Sequence, residues 1–498
     1  MITYFHDFHL GKTPFVLNKP RYYILIVIVL IGLFLRVWQF AEFHAFDYDQ
    51  DLYALIVKNI LVDQHIRLIG QMTSVDGVFI GPLYYYLLVP FFALFKMDPL
   101  SAVIPSTLIG ILTIISIYWV FSKLFNEKVG LIGSFIYATS ISMAFFDRWI
   151  VPTQPTVLWS VWYLYLLFSM LEGNQKAIIL VGILLGLIWH IHIAFLPLVL
   201  LIPIAILLAR KKTFVPKYLF LGSFLFFFLI SPLLIFELKH GFGQTRGFLQ
   251  ALSEERGQAS GANRLTMVLG GGSAALSRPF TFKGSFNLVI PTYFVFLSLF
   301  LFLIIRRLIN KKQSFIVISW ILIMLFSQQA SKRATSDYYF NSMMILSILF
   351  ISLFLFFLSK SRIGLNFLYS ILTLFFLINF VILAKMPSLN NGYKVKKNII
   401  SYIKKDSIKN KYSCYGINYI AGLGTDGGFR YLSWLYGLNV IQGAEDIPVY
   451  NVTIPYIGLS DEIKFGGLGL IPAKQVGKFN EKICRDTSRE LKPLPSFY

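Results

Sequence analysis

The sequence predicts an α-helical polytopic membrane protein with about 11–12 transmembrane helices, a long first extracytoplasmic loop and a C-terminal α/β extracytoplasmic domain. Three observations lead there. Of 498 residues, 56% are hydrophobic and only 14% are charged. With a mean hydropathy of +0.67, the chain carries more apolar surface than a soluble protein of this length can cover. The apolar residues gather into helix-length runs, and Lys and Arg fall in short clusters between them. That distribution suits cytoplasmic loops. It excludes nucleic acid as the partner behind the net charge of +21, because no single soluble face is basic.

The runs are 22–40, 81–96, 100–121, 129–146, 156–171, 177–192, 194–209, 214–236, 288–305, 313–330, 338–359 and 363–384. Several approach the roughly 20 residues a helix needs to cross the hydrocarbon. The first is too long for a signal peptide and lacks a small-residue cleavage site, so it reads as an uncleaved anchor with Lys12, Lys19 and Arg21 on the cytoplasmic side. Lys123 and Lys128, Lys176, Arg210 to Lys212, Arg306-Arg307 with Lys311-Lys312, and Lys360 with Arg362 mark further cytoplasmic ends. Residues 41–80, 147–155, 237–287, 331–337 and the tail beyond 385 then lie outside. Three runs separate the first outer loop from Asp147, yet the charge pattern puts both outside. The short run 81–96, interrupted by Pro90, is therefore expected not to cross fully. Residues 1–385 read as the membrane domain and 386–498 as a soluble extracytoplasmic domain. The expected location is the plasma (inner) membrane, multi-pass, with the N-terminus cytoplasmic.

The first outer loop opens with Phe46-Asp47-Tyr48-Asp49-Gln50-Asp51-Leu52-Tyr53. Charge near a bilayer is costly and usually functional. Carboxylates here can accept a proton, bind a divalent cation or orient a hydroxyl; the other reading is a polar loop capping the next helix. Leu52, Leu55, Ile56, Ile60 and Leu61 recur at helical spacing, which predicts a helix lying along the membrane surface.

Further along, Gly81-Pro82 precedes Tyr84-Tyr85-Tyr86, which fits an interfacial belt or a lipid-facing wall. Asp147-Arg148-Trp149 with Pro152, Gln154 and Pro155 fits a site or a structural turn. His190 and His192, two apart, do not share a helix face, so a packed histidine competes with a ligand. The second outer loop holds Arg246, Arg256, Arg264 and Gly270-Gly271-Gly272, which fit a phosphate cradle or a flexible lid. Lys332-Arg333, before Asp337-Tyr338-Tyr339, places cations outside against the positive-inside bias and suggests a bound anion such as phosphate.

In the tail, Leu438–Ile441 and Val449–Ile454 read as strands and Gly427-Gly428 as a turn. Cys414 and Cys484 are free to pair in such a compartment. No Cys/His spacing suggests zinc. Asn451-Val452-Thr453 matches a glycosylation acceptor.

The motif at 46–53, the Gly81-Pro82-Leu83-Tyr84-Tyr85-Tyr86 stretch, Pro152 to Pro155 and His190-Ile191-His192, in this order, resemble the membrane glycosyltransferases of the GT-C superfold. Within it the likeness is to family 39, which includes protein O-mannosyltransferases and the aminoarabinose transferases of lipid A, over roughly residues 20–385. The resemblance implies transfer of a sugar, with inversion, from a polyprenyl-phosphate donor to a lipid, glycan or protein hydroxyl at the outer face. It implies that Asp49 is the base, with Asp47 and Asp51 grouped beside it as catalytic residues. Gln50 stands where a second acid is common, and Gln154-Pro155 matches a second motif. Asp147, Arg148, Gln154, His190, His192, Lys332, Arg333 and Tyr338 are expected to bind donor or acceptor. A divalent metal is possible, held by Asp49 and Asp147, but not required. Ile80-Gly81 stands where the aminoarabinose enzymes carry Glu-Lys, which argues against that activity. A lipid flippase or transporter is the alternative, though no counterpart of the acidic loop recurs after residue 250. A non-catalytic assembly subunit is a third reading.

Overall fold

A computed structural model describes residues 19–210, 215–253, 262–281, 288–331, 335–422, 427–442, 447–474 and 484. Arg256, Lys332 and Arg333, singled out above, lie outside the described residues.

The apolar runs all appear as helices. The first is α1 (Lys19–Val37), followed by a single turn, α2 (Phe40–Phe43), and by α3 (Tyr48–Leu61) and α4 (Leu83–Leu94) in the first loop and the run after it. Next come α5 (Val103–Leu124), α6 (Glu127–Thr139), α7 (Ile141–Arg148), α8 (Thr156–Leu171), α9 (Ala177–Ile191), α10 (Leu201–Leu208) and α11 (Pro216–Lys239). Five helical stretches among the described residues are long and apolar enough to cross a bilayer: 99–124, 216–239, 311–330, 337–358 and 362–385. Helices α6 and α7, bent by 66° at their junction, make a sixth only if the pair is counted as one broken span. The other apolar helices are shorter, so length alone supports fewer crossings than the eleven or twelve expected. Helix α4, with 12 residues, rises only about 18 Å at 1.5 Å per residue, against a hydrocarbon core of ~30 Å. Gly182 of α9 lies against Gly222 of α11, where an added Cβ would stand 1.8 Å from a backbone oxygen. Small residues allow this close approach of two apolar helices.

Residues 237–287, expected as an outer loop, contain two helices, α12 (Gly243–Ser253) and α13 (Ala262–Ser277). The glycine run sits inside α13. A Cβ on Gly271 would meet the Phe340 ring at 2.5 Å, and one on Gly272 the Tyr293 hydroxyl at 2.2 Å. These glycines let α13 pack closely against its neighbours; they form no phosphate cradle. The bundle closes with α14 (Val289–Ile305), α15 (Lys311–Ala330), α16 (Met344–Leu358) and α17 (Arg362–Lys385).

The C-terminal unit adds α18 (Tyr393–Lys409), α19 (Arg430–Leu435) and four strands: β1 (Gly416–Ala421), β2 (Val449–Ile454), β3 (Ile463–Phe465) and β4 (Leu468–Ile471). Their order is β1-β2-β4-β3, with β1 parallel to β2 and the other pairs antiparallel. The expected strand at 438–441 contributes only an isolated bridge, Tyr415 to Val440, and β1 went unrecognised. Gly428 takes a positive φ of 93°, as the expected turn requires. Cys414 and Cys484 form a disulfide. Thr453 is buried in the central strand and bonds Glu462, so the Asn451 triplet does not lie in an open loop.

Helix α3 is not a surface helix. Residues 50–57 are all buried. One apolar core joins Phe46, Tyr53 and Ile56 of the first loop to Leu88 of α4 and to Tyr393, Ile400, Phe429 and Tyr431 of the C-terminal unit. The amphipathic stripe is covered by protein, by α4 on one side and by the C-terminal unit on the other.

Candidate active site

The acidic motif divides into two faces. Successive residues turn about 100° around a helix, so Asp49 and Asp51 lie roughly 200° apart. Asp51 is buried, and its Oδ1 accepts the Tyr431 N–H at 2.9 Å, capping the start of α19. Burial raises its pKa to about 6. Asp47 pairs with Lys396 at 2.8 Å, while Gln50 accepts the Asp47 N–H at 3.2 Å and closes the first turn of α3. The residue where a second acid was expected thus serves as a helix cap. Asp47 and Asp51, grouped with the base from sequence, both face the C-terminal unit.

Asp49 alone lines a cavity, a small polar chamber of about 110 Å³. Its walls come from Gln71 to Ser74 of the first loop, Trp149 to Thr153 between α7 and α8, His192 after α9, and Tyr338 in the 3-10 turn 337–343. Burial, and second the charge of Asp47, raise the Asp49 pKa above the ordinary carboxylate range. No side chain or N–H among the described residues is bonded to its carboxylate, so it keeps its acceptor capacity.

Two tyrosines of the run fasten the loop that forms part of the chamber wall. The Tyr85 hydroxyl donates to Gln71 Oε1 at 3.1 Å and accepts the Gln71 N–H at 3.2 Å. The Tyr86 hydroxyl does the same for the Arg67 carbonyl and N–H, both at 3.0 Å. The loop that carries Thr73 and Ser74 is thereby held against α4.

Through Pro152 and Ile191 the chamber adjoins a second cavity, of about 710 Å³. That one is apolar, walled by Tyr84 and Leu87 of α4, Leu158 and Trp162 of α8, and Ile183 and Leu187 of α9. A polar chamber with one uncommitted carboxylate therefore shares a wall with a large apolar one.

Several expected ligands are committed elsewhere. Asp147 accepts the Tyr137 hydroxyl at 2.8 Å on one oxygen and the Arg36 Nε at 2.7 Å on the other. Arg148 donates to the carbonyls of Arg36 and Trp38 and lies over the Phe145 ring. Gln154 donates to the Ser106 carbonyl at 3.0 Å. His190 accepts the Leu83 N–H at 3.3 Å and bonds the Leu229 carbonyl at 2.8 Å, tying α9 to α4 and α11. All four are buried and their bonds help hold the bundle together, although His190 also lines the larger cavity described above, and Arg148 Nη1 and Gln154 Oε1 have no hydrogen-bond partner among the described residues. A Cβ on Gly81 would fall 2.0 Å from His190 Nδ1, so this position has no room for a side chain while His190 stays in place. His192 and Tyr338 do line the chamber.

Asp49 and Asp147 do not form a shared ion site, since both Asp147 oxygens are taken. No three His, Cys, Asp or Glu side chains among the described residues cluster to hold a metal. One carboxylate and one imidazole along the chamber are a poor donor set for a divalent cation. Thr73, Ser74 and Gln71 went unrecognised because nothing marks ordinary polar loop residues in sequence; Trp149, beside the Asp147-Arg148 pair, stood nearest to a signal.

The sequence model of dolichyl-phosphate-mannose-protein mannosyltransferases matches residues 80–236, about a third of the chain. No curated protein sequence matches significantly. The crystal structure of ArnT from Cupriavidus metallidurans bound to undecaprenyl phosphate is similar, with a TM-score of 0.56 at 10% identity, covering 91% of this chain and 98% of that one. Its apo state gives a TM-score of 0.56 at 11% identity with the same coverage. Likeness of backbone at so low an identity speaks to architecture, and the architecture of this chain is the GT-C fold.

Proposed function

We propose that this chain is a membrane glycosyltransferase that moves a sugar from a polyprenyl-phosphate donor to an acceptor hydroxyl of a lipid, glycan or protein at the outer face. One observation carries the reading: the Asp49 chamber shares its wall with the apolar cavity. An amphiphilic donor with a long apolar tail and a sugar-phosphate head fits such a pair. The ArnT relative was crystallised with undecaprenyl phosphate, and the matched family acts with dolichyl-phosphate-mannose; both are lipid phosphates. The flippase alternative finds no support in either likeness.

The chemistry follows from the residues. The tail lies against the aromatic and aliphatic wall of α4, α8 and α9. The sugar occupies the polar chamber, among the hydroxyls of Thr73, Ser74 and Thr153. Asp49 takes the proton from the acceptor hydroxyl. The acceptor oxygen forms its bond to the anomeric carbon as the carbon–oxygen bond to phosphate breaks. The electron pair leaves with polyprenyl phosphate, and in-line attack inverts the centre. No Lys or Arg among the described residues lines the chamber. Lys332 and Arg333, six and five residues before Tyr338 in sequence, are the cations proposed to meet the leaving phosphate. No step is routed through a metal, because the donor set does not fit one. The sugar is a hexose or pentose.

The protein sits in the plasma membrane with its N-terminus cytoplasmic and its C-terminal unit outside. The basic clusters support this orientation, and the Cys414–Cys484 disulfide suits an oxidising compartment.

The test is sugar transfer from radiolabelled polyprenyl-phosphate sugars by the purified protein and its Asp49→Asn form. Turnover of one donor, reduced roughly 10²–10⁴-fold in the variant, is expected. A fully active variant would remove Asp49 as the base, and carrier movement across vesicles without transfer would favour the flippase.

A further inference from the structure

The C-terminal unit shares its core with α3, but it also reaches the acidic motif at two points, one on each side of Asp49. Lys396 of α18 is the first. Its side chain is 2% exposed, and its Nζ donates to the Phe46 carbonyl at 2.7 Å, to Asp47 Oδ1 at 2.8 Å and to the Gly427 carbonyl at 2.8 Å. An ammonium has three protons, and all three are used. Two of these acceptors belong to the residues that lead into α3, and the third to the C-terminal unit itself. The Phe429 ring lies beneath the charge, 5.6 Å from Nζ. The second point is the bond from the Tyr431 N–H to Asp51.

The backbone between these points is close-fitting. A Cβ on Gly427 would stand 2.5 Å from the Tyr48 nitrogen, and one on Gly428 1.8 Å from the Phe46 carbonyl oxygen. The entry to α3 is thus clamped from both sides, and Asp49 projects from the clamped turn into the chamber. Burying a cation among three acceptors is costly unless its geometry is fully met, and a free lysine would gain more from water. Anchoring of the rest of the unit does not need it, since Tyr393, Ile400 and Phe429 already supply an apolar core.

We propose that Lys396 is a positioning residue for Asp49: by tying Phe46 and Asp47 to Gly427, it fixes the turn from which the Asp49 carboxylate meets the acceptor. This rests on the reading of Asp49 as the base. It makes the C-terminal unit part of the active site, although none of its residues lines the chamber among those described. Displacements of about 1 Å in a reacting group can cost 10²-fold in rate. The donor cavity is built from α4, α5, α8 and α9, so donor binding is expected to be independent of the clamp.

The experiment uses the full-length protein in detergent, with Lys396→Met, Gly427→Ala and Asp49→Asn beside the parent. Undecaprenyl phosphate binding counts folded sites and gives Kd, and transfer rates are expressed per binding site. For Lys396→Met the expected result is an unchanged Kd with kcat per site lower by at least about tenfold. Counting by site removes any loss of folded protein from the comparison. Gly427→Ala presses on Tyr48 from the C-terminal side with Lys396 intact, and the same split is expected. A per-site kcat within twofold of the parent in Lys396→Met would overturn the proposal, whatever Gly427→Ala shows. Loss of turnover in Asp49→Asn beside normal turnover in Lys396→Met would reject the clamp alone. An active Asp49→Asn form would reject the base assignment, and the clamp with it.

Discussion

Asp147 at the end of α7 is buried and Asp49 at the start of α3 half-buried, and the fold uses the two in opposite ways. Asp147 has both oxygens occupied, by the Tyr137 hydroxyl and the Arg36 guanidinium, in a pair that is almost wholly buried on both sides. Asp49 has no bonded partner among the described residues and faces a cavity. A carboxylate whose acceptor capacity is exhausted by its own chain holds structure. One whose capacity is left open towards a cavity is available for chemistry. Proximity in the sequence-derived site is no guide to this division; the partner count is.

The widest separation between the two acids is expected in stability. Removing one partner of a buried ion pair strands the other charge and costs about 3–5 kcal/mol. Asp147→Ala should therefore lower the thermal unfolding midpoint sharply or prevent recovery of folded protein. Asp49→Asn, which removes no bond among the described residues, should unfold within a degree or two of the parent while transfer is lost. Thermal unfolding of the two purified variants measures this directly. An Asp147→Ala protein as stable as the parent would mean the Arg36 pairing carries little, and the contrast would collapse.

The helical runs were legible because the hydrocarbon imposes both length and composition on whatever crosses it, and every run from 22–40 to 363–384 is helical, although 129–146 breaks into two helices and 194–209 begins as a 3-10 turn. The acidic motif stood out because a charged cluster at a membrane exit is rare, and Asp49 is the member of it that lines the chamber. Other features depend on contacts between residues far apart in the chain. Periodicity marked the apolar stripe of α3 correctly, but only the fold reveals that Tyr393, Phe429 and Tyr431 cover it in place of lipid. Gly270 to Gly272 carry the same letters whether they bend around a phosphate or admit Phe340 and Tyr293 against a helix. Lys396 looked like one of many lysines in the tail, since its three acceptors come from residues 46, 47 and 427.

A second expected difference concerns protons. Asp49 needs to be ionised to act as a base, and its pKa is raised by burial and then by Asp47. Activity should therefore rise with pH through a limb above the ordinary carboxylate range. Asp47→Asn removes the neighbouring negative charge and should move that limb to lower pH, because the ionised form of Asp49 becomes easier to reach. The groups near Asp49 that also bear on this are Asp51 on α3, Tyr338 and His192 in the chamber wall, and Lys396 beyond Asp47. The pH–rate profiles of the parent and Asp47→Asn provide the measurement. A limb that stays in place would show that burial alone sets the Asp49 pKa.

The smallest expected effect separates the wall of the chamber from its carboxylate. Tyr85→Phe keeps the buried ring and deletes only the hydroxyl that holds Gln71. Each such bond contributes about 0.5–1.5 kcal/mol net, so global stability should fall by no more than that. The loop carrying Thr73 and Ser74 would lose one of its fastenings to α4, while Tyr86 keeps the other at Arg67. Steady-state rates should then show a rise of several-fold in KM for the lipid-linked sugar, with kcat changed by less than about twofold. That pattern is the one expected when binding common to ground and transition states is removed. Asp49 would remain in place, since its turn is fastened from the opposite side of α3. A fall in kcat with KM unchanged would instead mean that the 71–74 loop takes part in aligning the acceptor, and the chamber would have to be treated as a single catalytic unit rather than a carboxylate set in a binding wall.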